Sequence, residues 1–230
     1  MNPPPTQRPH ATVILAMSAD GKISNIARSL GKFASSNDYA HLEEQVAAAD
    51  AVIGGAGTLR SGGTAMRVTS DRLLQMRQQQ GKPPQPIQII GSRSGDIDPN
   101  LPFFHQPIPR WLITTREGAI VWRNKPAFDR LLTPQTPDGD IDWHAAFENL
   151  AKSGIERLAV LGGGSFVASL LAANLINEFW LTVCPIIFGG ATAPTPVDGE
   201  GFMPQLPHSL ELLEVRQVEQ EVFLHYQVRR

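Results

Sequence analysis

Cysteine is almost absent from this 230-residue chain, where Cys184 stands alone. One thiol makes neither an internal disulfide nor a cysteine-based zinc site, so the sequence suits a reducing compartment and a cytoplasmic location is expected. A basic surplus is missing too. Twenty Lys and Arg face 22 Asp and Glu, for a formal charge of −2. No window gathers the basic stripe with which proteins hold nucleic acid. The most apolar stretches are broken by Gly, Asn, Glu or Pro well short of the roughly 18 residues that a membrane-spanning helix needs. The start, Met1-Asn2-Pro3-Pro4-Pro5, has neither the basic region nor the apolar run of a signal peptide. The six histidines show no ligand spacing, so no metal site is expected. Neither nucleic acid nor membrane is then an expected partner; a small molecule is.

What the chain does have is glycine and proline, 20 of one and 19 of the other. Together they exceed the roughly 12 % of an average protein, and the two residues fall in different places. Prolines mark connectors. Pro3, Pro4, Pro5 and Pro9 make a flexible arm over residues 1–10, leaving 11–230 as one expected domain. Further prolines fill the segments at 83–86, 99–109, 134–137 and 194–207. Glycines follow apolar runs instead. Ala51-Val52-Ile53 leads into Gly54-Gly55-Ala56-Gly57-Thr58, and Leu158-Ala159-Val160-Leu161 leads into Gly162-Gly163-Gly164-Ser165-Phe166. Both clusters precede helix-compatible segments.

Apolar runs place strands at 11–16, 50–54, 87–91, 110–114, 156–161, 178–184, 210–216 and 221–229. Helices fit 37–48, 57–61, 70–80, 142–153 and 165–174. The first starts with Ser35 or Ser36 as its cap and carries Asp38 in its first turn, where an acid suits the helix dipole. The fourth starts at Asp142 and stops at Gly154. Strands alternate with helices until the end, where strand follows strand. The expected class is α/β, a mainly parallel central sheet flanked by helices with antiparallel C-terminal strands.

A strand that ends in glycines and opens a helix gathers unpaired N–H groups and the positive end of the helix dipole, which together attract an anion. Tight turns also need glycine for purely conformational reasons. Two such units in one chain favour a phosphate or dinucleotide ligand. Neither is the G-x-G-x-x-G fingerprint, because position 167 is Val167 and the acid expected about 20 residues on is Thr182. Ser92-Arg93 and Thr114-Thr115-Arg116 follow two other strands, where hydroxyl and guanidinium donors suit a phosphate.

Four blocks taken together resemble a known family: Val13 to Ile23, with Ser18, Asp20 and Lys22; Ala49 to Arg60; Leu161 to Phe166; and Leu175 to Gly190. The resemblance is to the riboflavin-biosynthesis pyrimidine reductases, the C-terminal reductase domain of bifunctional deaminase-reductases, within the dihydrofolate-reductase-like superfamily. It implies a dihydrofolate-reductase-like fold and NADPH-dependent reduction of 5-amino-6-(5-phosphoribosylamino)uracil to its ribitylamino form. It also implies a homodimer. The H-x-E and P-C-x-x-C elements of a zinc deaminase are not in the sequence, so a stand-alone reductase is expected.

The same resemblance distributes roles. Gly55, Ala56, Gly57 and Thr58 match a cofactor turn, and Gly162, Gly163, Gly164, Ser165 and Phe166 match a pyrophosphate turn. Ser92 and Arg93, with Thr114 at the next strand end, are expected to read the 2′-phosphate of NADPH. Ser35 and Ser36 match a hydroxyl site near nicotinamide and substrate, and Arg60 and Thr64 are candidates for the substrate's phosphate. Asp20 and Lys22 are the catalytic candidates, although Ser18–Lys22 also reads as a turn in which Asp20 bonds its own backbone. Family members usually follow the arginine with a small residue, two acids and a proline, where this chain has Ser61-Gly62-Gly63-Thr64. A glutamate often found before the second glycine turn is Leu161, and a lysine on the first strand is Ile14. Two rival readings stay open: a reductase of another heterocycle or carbonyl compound on the same fold, and a non-catalytic nucleotide-binding protein.

Overall fold

The computed structural model describes residues 8–27, 33–202 and 208–229. The expected arm over 1–10 lies mostly outside them, and His10 already opens a strand. Among the described residues nine strands form one sheet: β1 (His10–Ser18), β2 (Ala51–Gly55), β3 (Ile87–Gly91), β4 (Arg110–Ile113), β5 (Arg130–Leu132), β6 (Arg157–Val160), β7 (Glu178–Cys184), β8 (Leu210–Val218) and β9 (Glu221–Val228). Their order across the sheet is β5-β4-β3-β2-β6-β1-β7-β9-β8. Strands β1 to β7 run parallel, while β9 and β8 add antiparallel. The mixed sheet expected from the sequence is therefore present.

Each helix starts and stops for a local reason. In α1 (Ser36–Ala48) the Ser35 hydroxyl accepts from the N–H groups of Asn37 and Asp38, which satisfies donors that the helix itself cannot. In α5 (Trp143–Lys152) Asp142 accepts from Ala145 N at 2.9 Å. Gly154 then turns the chain away with φ +84°. The remaining helices are α2 (Ala56–Gly62), α3 (Asp71–Gln79), α4 (Arg116–Ile120) and α6 (Gly164–Ala172). Strand β5, helix α4 and a 3-10 turn at Pro102–His105 were not expected. All three are five residues or fewer, too short for a periodic signal.

Apolar residues fill both faces. One cluster joins Val13, Ile53 and Val160 to Phe147, Leu150, Val167 and Leu170 of α5 and α6. The opposite cluster packs Val46 of α1 and Leu73 of α3 against Ile14, Val52, Trp180 and Phe223. A third, around Phe103, Leu112 and Trp122, closes the β4 end. The buried guanidinium of Arg77 ties α1 to α3, donating to Ala47 O at 2.8 Å, Ala49 O at 2.7 Å and Pro83 O at 2.7 Å. Strand β6 sits between β2 and β1, so the chain moves outward from β2 through β5 and then returns to the centre. In open α/β sheets such a reversal leaves a crevice beyond the strand ends.

Candidate functional site

A cavity of about 1450 Å³ opens at the C-terminal ends of these strands. It exceeds the roughly 300–1,000 Å³ of a one-ligand pocket, so it has room for a cofactor and a substrate together. From the end of β4 to β1, whose Ile14, Leu15 and Ala16 line the cavity, there are four strand gaps, about 19 Å at ~4.8 Å each.

The two glycine turns meet at its centre. Gly55 N–H donates to Gly162 O at 2.8 Å, which ties them back to back. The Gly162–Gly163 peptide is cis. Gly163 caps α6 without a side chain, so the helix leaves the first-turn N–H groups of Gly164, Ser165 and Phe166 free of intrahelical partners. Gly55, Ala56, Gly57 and Thr58 line the cavity, as do Gly163, Gly164, Ser165 and Phe166. Gly162 lies outside the lining. The Phe166 ring lies across Gly55 and Gly91. A Cβ on Gly91 would stand 2.7 Å from Phe166 Cε2 and 2.9 Å from Trp143 Cη2.

At one end, Ser92 and Arg93 reach the cavity. Arg93 is exposed, its Nε 3.6 Å from Asp140 Oδ1, and is free to exchange that weak partner for a phosphate. Thr114 does not reach the cavity: it is fully buried and its hydroxyl donates to Arg93 O at 3.2 Å. The neighbouring Thr115 lines the cavity instead, and also holds Arg93 O, at 2.9 Å. The pair expected at the substrate phosphate is split. Arg60 lines the cavity, while Thr64 is exposed outside it, beyond Gly63, whose left-handed conformation (φ 69°) ends α2.

Asp20 and Lys22 also fall outside the lining. Asp20 accepts from Ser18 Oγ at 2.6 Å, Phe188 N at 3.1 Å and Gly189 N at 2.7 Å. The Ser18 bond first, with the backbone donors, holds its carboxyl below the usual range, which makes it an anionic clasp for the loop after β7. Lys22 contributes its backbone N–H to Ser18 Oγ at 2.9 Å. The turn reading of Ser18–Lys22 therefore describes what both residues do.

At the other end, Ser35 and Ser36 line the cavity, and the structure adds acids that the sequence reading did not single out. Asp38, buried at 8 % exposure, is part of the wall. Behind it lies Glu221, 4 % exposed, which accepts from Ser35 N at 2.9 Å, Ser35 Oγ at 2.6 Å and Cys184 Sγ at 3.5 Å. Burial first, against a Thr182 hydrogen bond and with repulsion from Glu221, raises the Asp38 carboxyl above its ordinary value. Burial and the same carboxylates push the Cys184 thiol up to about 12, so it is an inert thiol and not a nucleophile. Asp198 stands at the centre, beside Gly164, accepting from Thr195 N at 2.8 Å and Thr195 Oγ1 at 2.7 Å.

The family described as the RibD C-terminal domain matches residues 9–224. The chain belongs to this family. Within it, a reductase from Archaeoglobus fulgidus named for 2,5-diamino-6-ribosylamino-4(3H)-pyrimidinone 5′-phosphate is 28 % identical over 198 residues, 85 % of this chain and 89 % of that one. A solved pyrimidine reductase-like protein from Corynebacterium diphtheriae superposes with a TM-score of 0.77 at 19 % identity, over 100 % of this chain and 96 % of that one. The Thermotoga maritima deaminase and 5-amino-6-(5-phosphoribosylamino)uracil reductase gives 0.76 at 18 %, over 96 % and 57 %. As a member of the RibD C-terminal domain family the chain is an oxidoreductase. A nicotinamide cofactor fits the residues present, because α2 and α6 begin at the cavity without side-chain caps and leave first-turn N–H groups open to its phosphates.

Proposed function

We propose that the chain uses NADPH to reduce 5-amino-6-(5-phosphoribosylamino)uracil to its ribitylamino form. The observation that carries this reading is one cavity with paired glycine turns at its centre, Ser92 and Arg93 at one end and the buried acid Asp38 at the other. The turns take the pyrophosphate, and Ser92 and Arg93 offer donors for a 2′-phosphate, which favours NADPH over NADH. The hydride is what the bound nicotinamide supplies. The chain's own residues orient the two ligands and exclude water with Ile14, Leu15, Phe33, Leu42 and Leu161. Arg60, which lines the cavity and donates to Asp96 O at 3.2 Å, is a further cation for a phosphate of either ligand.

A second reading exchanges the uracil for the 2-amino pyrimidinone. The Archaeoglobus relative, which this chain covers over 89 % of its length, is named for that ring. Both substrates undergo the same change at the ribose. Incubating purified protein with NADPH and each compound, and following both NADPH absorbance and product mass, separates the two. Turnover of neither, despite tight NADPH binding, points to another substrate or to a non-catalytic protein.

The assembly proposed is a homodimer, working in the cytoplasm. Edge strand β8 supports the first part: Leu210, Leu212, Leu213 and Val215 are 42–57 % exposed on an edge with no further strand among the described residues, the kind of strand that proteins normally cover. The single buried thiol, Cys184, is compatible with a reducing compartment. No helix among the described residues is long and apolar enough to cross a membrane.

A further inference from the structure

Reduction of a ribosylamine to a ribitylamine consumes one proton for each hydride. The bond between C1′ and the ring oxygen breaks, hydride bonds to C1′, and the freed oxygen must take a proton to become a hydroxyl. Water is a poor donor beside an apolar wall, so a side chain that can carry a proton and faces the ligand gives the step its acid. Among the described residues the cavity's titratable groups are Asp38, Tyr39, Arg60, Arg93, Glu117 and Asp198. The arginines hold no transferable proton. Tyr39 is 50 % exposed, Glu117 is exposed at the Thr115 end, and Asp198 is engaged by Thr195 at the central turn. Asp38 is the acid that is both buried and walled by the apolar end of the cavity.

The residues around Asp38 divide two carboxyls into two roles. Glu221 is held by three donors, two from Ser35 and one from Cys184. Asp38 receives the Thr182 hydroxyl and faces the repulsion of Glu221. Two nearby carboxyls out of water cannot both ionise cheaply, and it is the Asp38 carboxyl that burial and Glu221 raise above its ordinary value. No other charge relieves this among the described neighbours. On β7 Cys184 stays a thiol. On α1 the next titratable ring, His41, is held neutral by burial and by Arg216 of β8, with a pKa lowered to about 4. Ser35 links the parts, since one hydroxyl caps α1 and binds Glu221.

We propose that Asp38, buried in the cavity wall, is the proton donor of the reduction and that Glu221, anchored behind it through Ser35, is its positioning residue. The inference rests on the ribosylamine reading above. In the step, the Asp38 O–H proton passes to the sugar ring oxygen as the C1′–O bond breaks and C1′ receives hydride. Asp38 is left as a carboxylate, which takes a proton back from solvent once product leaves.

The test combines infrared spectroscopy of the ligand-free protein with single-turnover and pH-dependent kinetics. At neutral pH the wild type shows the carbonyl stretch of a protonated carboxylic acid, and Asp38→Asn removes it. Asp38→Asn lowers the single-turnover rate by about 10²–10⁴-fold while NADPH affinity changes less than about twofold. Glu221→Gln leaves Asp38 able to act but removes the repulsion, so the Asp38 proton is lost at lower pH and the alkaline fall in kcat moves to lower pH. A purely structural role for Glu221 does not move that limb. An active wild type with no protonated-acid band, or an Asp38→Asn variant that reduces at the wild-type rate, overturns the donor alone. A wild type inactive on both pyrimidines overturns the functional reading, and the donor role with it.

Discussion

Gly91 and Gly57 both line the cavity, yet the structure gives them opposite reasons for lacking a side chain. At Gly91 a methyl would meet Phe166 Cε2 at 2.7 Å and Trp143 Cη2 at 2.9 Å. Carbon atoms prefer about 3.5–4.0 Å, so both rings must retreat by roughly 1 Å. Overpacking of this kind costs about 1–3 kcal/mol. In a chain of this size each kcal/mol lowers Tm by about 2–4 °C, so Gly91→Ala is expected to melt about 2–12 °C below wild type. At Gly57, inside α2, a Cβ finds nothing within 4 Å, and Ala is the better helix former by about 0.5–1 kcal/mol. Gly57→Ala is therefore expected to melt slightly above wild type. Its methyl would nevertheless occupy the approach to the backbone, and NADPH affinity is expected to fall at least tenfold, about 1.4 kcal/mol. Calorimetry gives Tm and titration calorimetry gives the affinity. A Gly57→Ala protein that binds NADPH like wild type refutes the ligand-based reason for that glycine; an unshifted Tm in Gly91→Ala refutes the packing one.

Three other perturbations follow from the structure. Arg77→Met leaves the carbonyls of Ala47, Ala49 and Pro83 without their guanidinium donors; at about 1–3 kcal/mol for each buried orphan, the urea midpoint drops by several kcal/mol equivalent with little change in slope, and a loss below 1 kcal/mol contradicts the role given to Arg77. His41, packed between Trp180 and Phe223, has its pKa lowered to about 4 by burial and Arg216, so its stabilising neutral form is complete above about pH 6.5 and stability is lost as pH falls towards 4, by up to about 3 kcal/mol. His41→Phe flattens that acid-side decline in urea unfolding at pH 7 and 4.5, and parallel declines in the two proteins rule the explanation out. Leu212→Lys with Val215→Lys puts two charges on the β8 edge and is expected to convert a dimer to monomer in analytical ultracentrifugation without lowering Tm of the monomer; an unchanged sedimentation coefficient removes β8 from the interface.

Features built from neighbouring residues were readable before the structure. Glycine turns, the Ser35 and Asp142 caps and the antiparallel end all rest on local patterns, and each lies within two residues of where the pattern places it. Strand β5 is three residues, Arg130-Leu131-Leu132, on the sheet edge, and it carries no alternation. The acid pair was invisible for a different reason. Asp38 looks like an ordinary first-turn helix acid, and Glu221 follows Glu219 and Gln220 in what reads as a solvated hairpin. Only the pairing of β9 with β7, which sets Val222 opposite Val183, carries Glu221 to Cys184 and under Ser35. Asp20 shows the converse: its position in a family-like block suggested chemistry, whereas the nearby N–H groups of Phe188 and Gly189 claim its carboxylate.

The central place of β6 divides the molecule in a way the chain order hides. A cut in the segment between β5 and α5 would leave one fragment with β1 to β5 and another with β6 to β9. In the first, β1 and β2 face each other across an empty slot, because β6 bonds to both. In the second, β6 and β7 are separated by the missing β1. Neither piece owns a continuous sheet, and the two glycine turns proposed to hold the cofactor sit on different pieces. Two such fragments would regain NADPH binding only by joining, so this fold is suited to serve as a split reporter whose signal is its own assembly.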